Sequence, residues 1–182
     1  TQTKNMDYIN GSLYLSGMMK GGFAPYGEEE ARIASKSTPL NGFVIKCDAS
    51  NGEWLGGVSA DEQGIGGYFG VAKGKENNLY AYGYSWATPN KGICLTTIDE
   101  SSWEKTEKIA LITETGMGTA WSCLADGTNF YSFSRGNKAV NFYNSEFTLP
   151  APTGWGMFIS SWKLDDIATG IETPNLAGND TR

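Results

Sequence analysis

The sequence predicts an all-β fold made of three four-stranded antiparallel, blade-like units, and three observations carry that expectation. The first is a set of short runs of β-formers between Gly66 and Trp103: GGYFGVA (66–72), NNLYAYGYSW (77–86), GICLTTID (92–99), and SSW (101–103) leading into EKIALIT (107–113). Each is bounded by Gly, Asn, Pro or Asp, the residues that end strands and make turns. The second is that the flanking sequence can be laid over this stretch. NGSLYLSG (10–17) matches NNLYAYG (77–83), NGFVIKCD (41–48) matches KGICLTTID (91–99), SCLADGTNFYSFS (122–134) matches GVAKGKENNLYAYG with two residues removed, and GMFISSWKLD (156–165) matches the third strand. Trp54 and Trp103 follow the closing aspartates at nearly the same distance. The third is the period. Leu13, Leu79 and Phe130 hold one position in it, and a repeat near fifty residues built from four short strands is the signature of propeller blades packed face to face. The units span about 5–60, 66–113 and 117–165; a β-sandwich is the alternative arrangement.

Taken in order, NMDYI (5–9) is the first strand and Asn10-Gly11-Ser12 the turn into the second. The pattern then breaks for some twenty residues before FVIKCD resumes, an insertion between second and third strands in which EEEARIA has the acids of a helical turn near its start. In the middle unit Leu79, Ala81 and Gly83 point one way and Tyr80, Tyr82, Tyr84 and Trp86 the other, because strand side chains alternate. The aromatic ladder most simply fills the gap between neighbouring units; a sugar-stacking platform is the alternative. In the third unit, 135–155 is a second long excursion, and its NFYNSEFTL segment reads as an added β-ribbon. Residues 167–182 are small, polar and turn-rich, as linkers are.

Length and composition exclude several classes. The 182 residues suffice for one domain with a sizeable core, and 24 glycines with 13% aromatic residues suit many turns and short strands. A net charge of −6, with fourteen scattered Lys and Arg, provides no basic stripe for nucleic acid. No apolar run approaches the ~18 residues of a membrane helix, and the polar TQTKNMDY start carries no signal peptide, which a processed protein would also lack. No histidine is present, so Ser-His-Asp, Cys-His and His-ligated metal sites cannot be built from this chain. Cys47, Cys94 and Cys123 sit in apolar strand patterns and read as buried thiols, with a Cys47–Cys94 bridge between third strands as the alternative. DGTN (126–129) is a turn rather than a calcium loop, and neither a metal nor a cofactor is expected.

The pattern GxxxxVA, NxLYxxG, GFVxKxD, then Trp and a hydrophobic run, resembles the bacterial β-propeller repeat of secreted and surface proteins across about residues 5–165. The tail with its "GIE" (170–172) resembles the linker before the sorting domain of type IX secretion cargo. That resemblance implies a secreted or cell-surface protein. Three units are fewer than the four to eight of a closed ring, so a second fragment or a second copy would complete it. It also implies that both long insertions share one rim with the connectors SADEQG (59–64) and TETG (113–116). The ligand-binding candidates are therefore Tyr26, Glu29, Asp61, Glu62, Trp86, Glu114, Phe142, Tyr143 and Trp155. Asp61 with Glu114, from equivalent connectors, is the best carboxylate pair for glycoside hydrolysis, and solvated surface acids are the simpler reading. The expected function is a non-catalytic module binding a glycan, a protein or a small nutrient; a hydrolase fragment and a plain scaffold are the alternatives.

Overall fold

The computed structural model describes residues 1–25, 28–34, 40–60, 65–85, 92–114, 118–137, 139–142 and 148–164. Within them every regular element is a strand. The first unit contributes β1 (Gln2–Ile9), β2 (Ser12–Met19), β5 (Asn41–Asp48) and β6 (Trp54–Ser59), paired antiparallel in that order, with the small hairpin β3 (Gly22–Phe23) and β4 (Ile33–Ala34) in its insertion. The second contributes the meander β7 (Ile65–Lys73), β8 (Asn78–Ser85), β9 (Gly92–Asp99) and β10 (Glu104–Glu114). The third contributes β11 (Gly118–Ala125), β12 (Asn129–Gly136) and β15 (Gly156–Lys163), while its excursion forms β13 (Val140–Phe142) and β14 (Thr148–Leu149). The expected strands are thus present, but the four-stranded rule holds only for the first sheet. The second has six strands because β13 and β14 join the edge of β10, and the third has three among the described residues. The expected ribbon is this β13–β14 pair. Among the described residues the sheets form no closed ring.

Local chemistry sets the turns. Asn10 and Gly11 both have positive φ (49° and 81°), a two-residue turn whose twist matches its strands. Asp48 accepts from the Ser50 backbone N–H and hydroxyl at 2.7 and 2.5 Å, and Asp99 does the same with Ser101 at 2.8 and 2.5 Å. One backbone bond recurs in every unit: Ala49 N–H to Gly11, Glu100 N–H to Asn77 and Leu164 N–H to Thr128. The repeat read from the sequence is therefore also a repeat in space. The two tryptophans, however, are not equivalent. Trp103 occupies the position of Gly52 in its turn, with φ 60° against 74°, and its indole lies so close over Gly56 that a Cβ there would meet Nε1 at 2.0 Å. Trp54 is a strand residue stacked on Phe23 at 5.9 Å.

EEEARIA is not helical. Glu28 pairs with Arg32 in a bend, and the chain then extends so that Ile33 and Phe23 can cover Phe43, Ile45 and Trp54. Burying two large apolar side chains outweighs the weak helix preference of one solvated turn.

The middle sheet is apolar on both faces. Leu79, Ala81, Cys94 and Ile98 pack with Tyr14 and Val44 of the first unit, whereas Tyr80, Tyr82, Ile93 and Leu95 pack with Phe130 and Trp162 of the third. The alternation along β8 is as the sequence predicts, and the tyrosine ladder fills an inter-unit gap. Tyr84 is buried too; Trp86 lies outside the described residues. The Tyr82 hydroxyl of the ladder is bonded to Ser134, and on the opposite side the Tyr68 hydroxyl donates to Thr96 at 2.9 Å. All three cysteines are free thiols, so the Cys47–Cys94 bridge is absent.

One ionic cluster joins the first two units. Glu100, whose side chain is only 9% exposed, accepts from Lys46 and Tyr14 of the first unit and from Lys73 of its own. Burial alone would raise its pKa, but these bonds outweigh that and hold it at about 2, against an ordinary 4.5. Burial and the same carboxylate push the Tyr14 phenol up. Because the folded pKa lies below the unfolded one, this stabilisation is complete above pH 4.5 and is lost as pH falls through 2. Glu100→Gln should therefore cost about 3 kcal/mol at neutral pH, leaving two ammonium groups without their carboxylate. Urea titrations at stepped pH should show the wild type losing stability between pH 4.5 and 2 more steeply than the variant.

Candidate functional site

The second-to-third-strand connections of the first and third units leave equivalent strand ends, after Met19 and Gly136, where β2 meets Asn41 and β12 meets Gly156. The third-unit connection reaches back onto its neighbour. Phe142 pairs in register with Ile112, Asn141 with Thr113 and Val140 with Glu114, so β13 extends the second sheet while its ends remain anchored in the third. Between this ribbon and β15 lies a cleft of about 240 Å³, walled by Val140, Leu149, Pro150, Pro152, Met157 and Phe158. Its floor is held by Phe142, packed edge-to-face on Phe158 at 6.0 Å.

The cleft has an aromatic neighbour. Trp155 precedes the first residue of β15 and is half exposed, and the Arg135 guanidinium lies 4.6 Å from the centre of its ring. The pair presents a flat apolar surface beside a cation. The two prolines stiffen the approach because their φ is fixed. Among the described residues no titratable side chain lines the cleft wall, and the side chains that do line it offer apolar contact and stacking.

The candidates read from the sequence divide accordingly. Trp155 is exposed beside the cleft. Phe142 is 4% exposed and forms the core beneath it, so it supports the site rather than touching a ligand. Glu114 closes β10, with its backbone opposite Val140 of the cleft wall. Glu29 stands exposed in the other excursion, which forms a separate open groove between Ile33–Ala34, Val58–Ser59 and Trp103–Lys105. Tyr26, Asp61, Glu62 and Tyr143 lie outside the described residues, as does the Asp61–Glu114 pairing. Asp126 of DGTN is fully engaged by its own turn: the Asn129 and Thr128 backbone N–H groups and the Tyr131 hydroxyl hold its pKa at about 2. Among the described residues no group of three or more Asp, Glu or Cys side chains is placed to hold a metal. Sequence reading missed Arg135 and the proline wall. The TLPAPTGW run (148–155), two prolines ahead of a tryptophan, was the available signal.

No protein-family model matches this chain, and no curated protein matches it significantly.

Wall and lip should separate experimentally. Val140→Ala removes two buried methyl groups and is expected to cost about 2 kcal/mol. Trp155→Ala, at a half-exposed position, should leave the urea midpoint within about 0.5 kcal/mol of wild type.

Proposed function

We propose that the chain is a non-catalytic binding or adhesion module of the β-propeller type, belonging to a secreted or cell-surface bacterial protein. The observation that carries this reading is the apolar cleft with Trp155 and Arg135 at its lip. Its 240 Å³ is below the roughly 300–1,000 Å³ of pockets for whole small molecules. It has room for one ring or one short side chain, as a unit of a glycan or of an extended protein segment would offer. Trp155 would stack on the apolar face of that unit and Arg135 would bond its polar edge. The propeller part of the proposal draws on the threefold turn pattern and the face-to-face burial of the middle sheet. Secretion or surface display draws on the resemblance in the repeat and tail.

A hydrolase fragment remains the second reading, because Glu114 ends the strand that pairs with the cleft wall. It needs a second carboxylate, for which Asp61 is the candidate, and Glu114→Gln would then abolish turnover by a longer protein carrying these units. A plain scaffold would have no use for a half-exposed Trp155 with a guanidinium over its ring.

The test is a panel of glycans and peptides followed by Trp fluorescence. Binding that quenches fluorescence, and that Trp155→Ala weakens at least tenfold with the fold intact, is the expected outcome. A panel that stays blank with folded protein, or binding indifferent to both Trp155→Ala and Arg135→Ala, would sink the cleft reading.

A further inference from the structure

The repeat gives each unit two distinguishable faces. Leu79 of the second unit and Phe130 of the third hold the same repeat position, and both point toward the unit before them. Tyr14 and Tyr80 hold the next position, and both point toward the unit after. Tyr14 meets Glu100 across the first gap, and Tyr80 lies in one cluster with Leu164 across the second. Glu100 and Leu164 are themselves equivalent, since each makes the recurring turn bond. One rule of contact therefore operates twice within the chain.

By the same rule two faces are left over. In the first unit Leu13, the equivalent of Leu79, shares a face with Met6 and Tyr8, which are 60% and 70% exposed. Their counterparts Val71 and Lys73 lie in the first gap. In the third unit Tyr131, the equivalent of Tyr80, shares a face with Leu124, Ile159 and Met157, which are 65%, 59% and 69% exposed. Their counterparts Ala72, Leu95 and Ile93 are all in the buried core. The β3–β4 hairpin covers Phe43, Ile45 and Trp54, so the open part of the first face lies on β1 and β2. Contiguous apolar patches of this kind on a soluble protein mark interfaces.

We propose that these faces pair with each other between two copies of this chain, the Tyr131–Leu124–Ile159 face of one seated on the Met6–Tyr8–Leu13 face of the other. The contact continues the internal one, with Tyr131 landing over Ala49, the equivalent of Glu100 and Leu164. It is heterologous, and such contacts close when the rotation is a whole fraction of a turn. On the propeller reading above, on which this proposal rests, two three-unit copies make a six-unit ring, within the four to eight units of closed propellers, and each exposed face is used once. The second copy would also lie against Met157, which walls the cleft, so pairing and ligand binding share this edge of the third unit.

Light scattering on a sizing column tests it. The expected mass is twice 19.7 kDa, discrete and independent of concentration down to the micromolar range. Tyr8→Lys and Leu124→Lys, both at exposed strand positions, should each give a folded monomer by circular dichroism. Mixing the two should restore a dimer, weaker than wild type, because one of its two contacts is intact. Met6→Lys and Ile159→Lys repeat the test should either first variant unfold. A wild-type monomer, an open-ended series of masses, or a single variant that still dimerises alone would each overturn the proposal.

Discussion

Everything else in this molecule follows from the middle sheet having no polar face. An antiparallel sheet ordinarily shows one side to water; here Leu79 and Ala81 are buried on one side and Tyr80 and Tyr82 on the other, all of them 2% exposed or less. Exposing either side would cost roughly 25 cal/mol for each Å² of apolar surface uncovered. The first and third units are therefore held in place by a neighbour that cannot exist without them. The glycines serve the same packing: a Cβ on Gly83 would meet the Gly67 carbonyl at 2.2 Å, and one on Gly42 would meet the Tyr68 ring at 2.8 Å.

The two gaps are built from different chemistry on one geometric plan. Across the first, a carboxylate ties two lysines and a tyrosine. Across the second, Leu164 stands at the place of that carboxylate, and Phe130 meets Tyr80 edge-on and Trp162 at a tilt, with centroids about 6 Å apart. The ionic gap fixes orientation and responds to acid; the aromatic gap contributes area. The excursions are then spent on the outer edges. β3–β4 wraps the first sheet, and β13–β14 clamps the third unit to the second, which is what creates the cleft beside Trp155.

Much of the architecture was legible because it is local. Strand positions follow from runs of β-formers between Asn-Gly and Asp-x-Ser turns, and each such turn is made by side chains two or three residues apart. The match of Trp54 with Trp103 is the exception: they stand six and four residues after Asp48 and Asp99, and Gly52 is the residue at the place of Trp103. The candidate site was legible only in part. Trp155 could be picked out as an aromatic residue at a strand start, but Phe142 could not be told from it by type, because burial depends on what covers it.

The sequence by itself therefore determined an all-β chain of three repeated meanders, the faces of β8 and the presence of a ribbon in the last excursion, since period, alternation and turn chemistry act over a few residues. Only the tertiary structure decided that EEEARIA would extend into a hairpin, that the ribbon would add to the second sheet rather than its own, that Glu100 would gather partners 86, 54 and 27 residues away, and that Arg135 would lie over Trp155. These are contacts between distant segments, and their energy comes from desolvation and packing that no local pattern encodes.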